Sequence, residues 1–163
     1  MNSWDGTEAE RLGALAQPFA VLTALLPGMP MLYSGQEAGL NRRLAFFDRD
    51  TIKWDELPLE AFYTKLLQLK KRHPALRNGD PASNFQRLTT PDGLYGFVRE
   101  KNGSAVIVLI NATAELLTLP GQKTCISPQK GLFDVFSGEQ LTLAQAKART
   151  VPAHGWRVLR TRD

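Results

Sequence analysis

The sequence predicts an α/β segment followed by an all-β unit, and three observations carry that prediction. A short apolar run, Met29, Met31, Leu32 and Tyr33, follows a Pro27-Gly28 break and stops at Ser34-Gly35, with the polar pair Gln36-Glu37 next. This is the pattern of a strand buried on both faces whose C-terminal end opens into a polar loop, the end at which parallel α/β architectures build their sites. The apolar residues before and after that run recur at helical period. Beyond the dense turn cluster Asn78-Gly79-Asp80-Pro81 the period changes to that of strands.

The elements follow in order. Met1 to Gly6 read as a loop, and Thr7 with Glu10 has the spacing of a capping box, in which each residue's side chain satisfies the other's backbone N–H. The helix that follows places Leu12, Leu15, Ala16, Phe19, Ala20, Leu22 and Thr23 close to one period, with Pro18 inside it as a kink or restart and Pro27-Gly28 as its end. The buried strand is expected at Met29 to Tyr33, then a long mixed loop from Asn41 to Asp55. Pro58 fits the first turn of a second helix, whose stripe is Leu59, Phe62, Tyr63, Leu66 and Leu67 and which stops before Pro74.

Strands are then expected at Phe85 to Leu88, Leu94 to Glu100, Ala105 to Asn111, Glu115 to Leu119, Gly131 to Asp134 and Trp156 to Arg160. The Lys101-Asn102-Gly103-Ser104 turn joins two of them as a hairpin. Val106 to Ile110 is nearly all β-branched or Leu and reads as a central strand. Short strands at this density suggest a small antiparallel sandwich. Leu141 to Lys147 fits a short helix or a loop equally. The boundary between residues 1–79 and residues 80–163 is placed at the turn cluster. The first half is one and a half units of a β/α repeat, too little to close a sheet.

The bulk numbers exclude several classes. The chain has 163 residues, 43% of them hydrophobic and 22% charged, a folded composition of one or two domains. Net charge is +4, and Lys147, Arg149, Arg157, Arg160 and Arg162 alternate with apolar residues as on the wet face of a strand. A nucleic-acid groove would cluster its cations among stacking aromatics, so no nucleic-acid partner is expected. Cys125 is the single cysteine, and His73 and His154 have no ligand spacing to it or to each other, so no metal and no cofactor are expected. His73 ends a helix, where a cation suits the dipole, and His154 precedes Gly155 in a turn. No apolar run reaches membrane-spanning length, and no membrane partner is expected. The chain as given reads as cytoplasmic, with an export signal, if any, belonging to a segment upstream.

Pro27-Gly28-Met29-Pro30-Met31-Leu32-Tyr33-Ser34-Gly35-Gln36-Glu37-Ala38-Gly39 resembles the eighth barrel strand and following loop of the α-amylase family, glycoside hydrolase family 13. Asn2-Ser3-Trp4-Asp5-Gly6-Thr7 resembles the segment directly after that family's Asn-His-Asp motif at the end of strand seven. Leu59 to Lys70 with His73-Pro74-Ala75-Leu76 is similar to the eighth helix and its exit into the C-terminal sandwich. Tyr95 to Arg99 and Val106 to Asn111 look like the first strands of that sandwich. The resemblance covers nearly the whole chain in family order. It implies a remnant of a TIM (β/α)8 barrel (helix 7, strand 8, helix 8) in residues 1–79 and an antiparallel β-sandwich in residues 80–163.

The implied chemistry is retaining cleavage of α-glucosidic bonds in α-1,4-glucans such as starch and maltodextrin. That chemistry needs two carboxyl groups about 5 Å apart, one as nucleophile and one as acid then base. The family draws these from strands four and five, with a third acid in Asn-His-Asp. Met1 stands just past the third acid, and strands one to seven are absent, so none of the three is present and no residue here is expected to be catalytic. Glu37, Asp48, Asp50, Asp55 and Glu56 form no recognisable pair. Glu37 is expected to brace its loop, and Asp55 and Glu56 suit a helix N-terminus. By position in the family, Asn2, Trp4 and Arg43 are the substrate-binding candidates, the α-glucan being the partner of the intact enzyme. The alternative is a carbohydrate-binding or structural module, with Tyr95, Phe133, Phe136 and Trp156 as its aromatics, or a subunit that complements a barrel portion in trans. Unpaired strand edges imply self-association.

Overall fold

The computed structural model describes residues 5–45, 47–118, 131–142, 144–145 and 150–161. Thr7 caps the first helix as the spacing predicts. Its hydroxyl accepts from Glu10 N at 3.1 Å, and its own N–H donates to Glu10 Oε2 at 2.7 Å. Helix α1 is Glu8–Leu12. A 3-10 turn, Gly13–Leu15, separates it from α2, Ala16–Leu25. Pro18 sits in the first turn of α2, where its missing N–H costs nothing, so the proline marks a restart. The second predicted helix, α3, is Glu60–Arg72. Pro58 lies in the turn before it, and Glu60 N donates to Leu57 O at 3.1 Å.

His73 ends α3 but does not serve there as a cation. It is 2% exposed, and its Nδ1 accepts from Ala75 N at 3.3 Å, capping the 3-10 turn Pro74–Leu76. An accepting Nδ1 carries no proton, so burial turns the expected charge into a neutral cap. His154 stands in the expected turn, at φ 47°.

Among the described residues, eight strands form the sheets: β1 (Asn84–Arg87), β2 (Leu94–Lys101), β3 (Ser104–Asn111), β4 (Leu117–Thr118), β5 (Leu132–Asp134), β6 (Gln140–Leu141), β7 (Thr150–Val151) and β8 (Trp156–Thr161). Six make one antiparallel sheet in the order β1-β2-β3-β8-β5-β6, and β4 pairs β7 in a small second sheet. The hairpin closes with Lys101 opposite Ser104, and Asn102 and Gly103 both take positive φ, 51° and 78°, as a tight two-residue turn requires. β3 lies between β2 and β8, in the central place its composition predicts.

Because β3 is buried on both faces, its alternation divides two cores. Val106, Val108 and Ile110 pack with Phe97 and Val158 under Val21, Leu25, Leu66 and Leu76 of the helical segment. Ala105, Ile107 and Leu109 pack with Val98, Leu132, Leu141 and Val151 on the other face, with Leu117 of β4 against them. The sandwich is therefore asymmetric, with a broad sheet, a two-stranded flap on one face and helices on the other. Arg157 and Arg160 do not share one wet face. Three residues apart in β8 they lie on opposite faces, Arg157 bonded to Asp134 and Arg160 over the Phe133 ring at 5.8 Å. Lys147, Arg149, Arg162 and Cys125 lie outside the described residues.

Met29–Tyr33 is not the buried strand the sequence predicts. It pairs with no strand among the described residues, and Met29 and Met31 are 87% and 78% exposed. The reason is physical: a parallel strand is satisfied only by neighbours on both edges, and the described chain offers none there. β4 is shorter than Glu115 to Leu119. Glu115 lies in a bend, and Leu119 is outside the described residues. β6 and β7 are strands the sequence analysis did not foresee. Within Leu141 to Lys147, Leu141 ends β6 and residues 144–145 are helical, while residues 143, 146 and 147 are not described.

Candidate functional site

The loop after Met29–Tyr33 is where the sequence places function, and its geometry is set by backbone turns and one amide. Gln36 N donates to Tyr33 O at 3.1 Å, Gly39 N to Gln36 O at 3.0 Å and Leu40 N to Gly35 O at 2.9 Å. Gly35 holds φ at +94°, and a Cβ there would stand 3.0 Å from Leu40 Cδ2, so the tight turn requires glycine. The Gln36 side chain bridges outward. Its Oε1 accepts from Tyr33 N at 2.8 Å and its Nε2 donates to Glu8 Oε2 at 2.9 Å, tying the loop to α1. The Thr7 hydroxyl adds a second tie, donating to Asn41 Oδ1 at 2.7 Å.

Glu37 braces the loop differently from the expectation. Its backbone carbonyl accepts from Leu59 N at 3.1 Å, fastening the loop to the approach of α3. Its carboxylate oxygen Oε2 is buried without a hydrogen-bond partner. Glu8 and Glu37 both act on Tyr63, whose hydroxyl is pushed up to about 12, first by burial and then by those two negative charges. No proton-shuttling role follows, since a phenol held neutral to such high pH is a poor acid.

The polar loop beyond Leu40 is built around an ion pair. Arg42 grips Asp50 with two bonds, Nη1 to Oδ2 and Nη2 to Oδ1, each 2.7 Å. Asp50 also accepts from Ala45 N at 2.7 Å and Thr51 N at 2.8 Å. The Arg42 bonds come first among the causes that hold this carboxyl far below the usual carboxylate range. Asp50 is thus a loop organiser, locked as an anion. Asp48, Asp55 and Glu56 are exposed.

Of the three substrate-binding candidates, Arg43 can be placed and Asn2 and Trp4 lie outside the described residues. The Arg43 side chain is 60% exposed, with Nη2 3.7 Å from Glu10 Oε2. Glu10 is held below its ordinary range, mainly by accepting from the Thr7 backbone and in smaller part by Arg43. Arg43 therefore stands at the rim of the loop with most of its guanidinium open to solvent. Sequence reasoning missed Gln36 as the loop's central tie. An amide next to a carboxylate carries no pattern that says which of the two will bond.

Beside this loop runs an apolar groove of about 370 Å³, walled by Leu12, Phe19 and Ala20 from the first helices, Leu66 from α3, and Met29 and Leu32 from the unpaired segment. Among the described residues no group of three or more His, Cys, Asp and Glu is placed to hold a metal ion, and no helix is long and apolar enough to cross a membrane. The four aromatics of the β unit, Tyr95, Phe133, Phe136 and Trp156, are each half-buried.

No protein-family model and no curated protein matches the chain. Solved structures do. A debranching enzyme from Nostoc punctiforme, soaked with acarbose, is 27% identical over 90% of this chain and 29% of its own, with a TM-score of 0.63. A maltogenic amylase from S. marinus is 21% identical over 92% of this chain and 20% of its own, TM-score 0.66. The AmyP complex with maltose is 17% identical over 90% of this chain and 34% of its own, TM-score 0.68. The fold is thus that of one part of α-amylase-family enzymes, as the sequence resemblance implies, and the chain spans between one fifth and about a third of the length of those solved structures (20% to 34%).

Proposed function

We propose that the chain is the C-terminal portion of an α-amylase-type glycosidase acting on α-1,4-glucans, made of the end of a (β/α)8 barrel (residues 1–79) and the C-terminal sandwich (residues 80–163). One observation carries the reading. The segment Met29–Tyr33 has a strand's composition yet pairs with no strand among the described residues, and it lines an apolar groove, while the chain covers only 20% to 36% of the solved structures of the same fold. A barrel strand separated from its neighbours would have this form. Arg43, with Asn2 and Trp4, would stand near the sugar in the intact enzyme, since loops at the C-terminal ends of barrel strands line the site. The sandwich would buttress the barrel through the core shared by α2, α3 and the sheet.

The 163 residues alone should not cleave glucan, because protonating the leaving oxygen and forming the glycosyl intermediate both require carboxyl groups that this stretch does not supply. Incubating the purified chain with maltoheptaose and following reducing ends tests this. Background-level hydrolysis is expected, and turnover by the chain alone would end the reading. A second reading, a subunit that associates through the unpaired segment, is favoured by the exposure of Met29 and Met31.

A further inference from the structure

We propose that the pocket between the start of β8 and the turn after β5 is a binding site for a neutral oligosaccharide, remote from the loop that carries Arg43. The choice of α-linked glucose units as ligand rests on the glycosidase reading above; the choice of a neutral sugar does not. The pocket has a volume of about 330 Å³ and is lined by Trp156, Phe136, Arg157, Asp134 and Ser137 together with the turn at Pro152. That is the lower end of the range for small-molecule sites, which combine apolar walls with a few fixed polar groups.

Both walls are held in place before any ligand arrives. Asp134 is 2% exposed, and its Oδ1 accepts from Phe136 N at 2.9 Å and Ser137 N at 3.0 Å, which sets the turn. Its Oδ2 accepts from Arg157 Nη1 at 3.1 Å, while Arg157 Nε donates to Thr150 O at 3.5 Å. Two of the three guanidinium nitrogens are therefore anchored. Trp156 is braced by edge-on rings, Phe62 and Phe136, each 5.5 Å from it between centroids. Arg157 Nη2, the Ser137 hydroxyl proton and the Trp156 indole N–H form no hydrogen bond among the described residues. They are three spare donors around an aromatic wall.

That combination selects the ligand class. A pyranose presents apolar C–H faces to aromatic rings and ring or hydroxyl oxygens to donors. An anion would gain little, because Asp134 already neutralises Arg157 and the pocket's net charge is zero. A purely apolar ligand would leave the donors desolvated and unpaired, which costs binding.

The test is calorimetric titration of the chain with maltotriose, cellotriose and inorganic phosphate. Saturable maltotriose binding is expected, with a Kd on the order of 1 mM. Two conservative variants assign it to this pocket. Arg157→Lys keeps a cation for Asp134 but removes Nη2, and Trp156→Phe keeps a ring against Phe62 but loses the indole N–H. Each should weaken binding by about fivefold or more, in keeping with the loss of one hydrogen bond, with the fold retained by circular dichroism. Phosphate should not displace the sugar. Binding of cellotriose in place of maltotriose, lost in both variants, would support the pocket and sink the α-glucan reading. No saturation by either sugar, full affinity in both variants, or displacement by phosphate would overturn the site and leave the glycosidase reading standing.

Discussion

The side-chain amide of Asn111, at the end of β3, donates to the Val151 carbonyl of β7 at 3.0 Å, across forty residues of chain. The same nitrogen donates to Glu115 O at 2.7 Å and Pro152 O at 2.9 Å, and the Asn111 side-chain Oδ1 accepts from both the N–H and the hydroxyl of Thr113, at 2.9 and 2.8 Å. Asn111 is fully buried, and one residue thus fixes the end of the central strand, the bend before β4 and the start of the turn that leads to β8. Asn111→Ala should cost about 3 kcal/mol, because buried carbonyls lose their donor with no water to replace it. Asn111→Asp should cost more, since a carboxylate would face three carbonyl oxygens. Urea unfolding of the three proteins checks the order; equal midpoints for the wild type and Asn111→Ala would refute the hub.

Lys70 supplies a pH dependence. It is 9% exposed on α3, and its Nζ donates to Leu26 O at 2.8 Å, closing the end of α2. Burial, and then the nearby Arg99 charge, lower its pKa to about 8. Arg99 is itself buried, with its donors on Leu76 O, Arg77 O and Ser83 Oγ, so no carboxylate offsets either cation. A lysine depressed in the folded state is penalised while both states are protonated. The penalty lifts as pH rises from the folded pKa towards the ordinary lysine range, where the unfolded chain still binds the proton. Stability should therefore rise from pH 7 to pH 9.5, by on the order of 1 kcal/mol once solvent screening is allowed for. Tyr63 works in the opposite sense only above pH 10, because its raised pKa makes its contribution fade there. Denaturant midpoints across that window, for wild type and Lys70→Met, isolate the lysine: the variant should show a flatter slope, and identical slopes would remove Lys70 as the cause.

Gly93 meets two constraints at once. Its φ is +78°, and a Cβ on it would lie 2.1 Å from Thr113 Cγ2. Gly93→Ala should lose about 2–3 kcal/mol, from a clash and a left-handed backbone together. Thr113→Ser removes the offending methyl and keeps the hydroxyl that bonds Asn111. In the double variant the clash disappears and the backbone cost of about 1 kcal/mol remains. Thermal unfolding of the four-member cycle separates the terms. Exact additivity would mean that the methyl is not what the alanine strikes.

What the sequence made legible follows from how far each feature reaches along the chain. The Thr7–Glu10 capping box, the restart at Pro18, the Lys101–Ser104 hairpin and the two-faced burial of Val106–Ile110 depend on neighbours a few residues away or on one strand's own composition. β6 and β7 have two residues each, too few to show a period. Asn111 reads as a strand end, because nothing in its own stretch names Val151 as its partner. The run Met29–Tyr33 has a strand's composition, but pairing is a property of two segments, and the described chain holds only one of them. At the candidate site, Arg43 was chosen by position alone and stands exposed, whereas the tie between Gln36 and Glu8 spans 28 residues and leaves no local trace.

The unpaired segment gives the last prediction. Met29 and Met31 project into solvent next to the apolar groove, and large exposed apolar groups beside an open backbone edge are a route to association. Light scattering of the purified chain should report a mass above the monomer that rises with concentration. Met29→Lys with Met31→Lys places two cations on that edge, where they repel a second copy and resist strand pairing. Both side chains are exposed, so unfolding stability should change by no more than about 0.5 kcal/mol. The double variant should scatter as a monomer where the wild type does not. A wild-type chain that stays monomeric to high concentration would show that the unpaired segment is satisfied by solvent alone, and would remove the physical reason for expecting a partner at that groove.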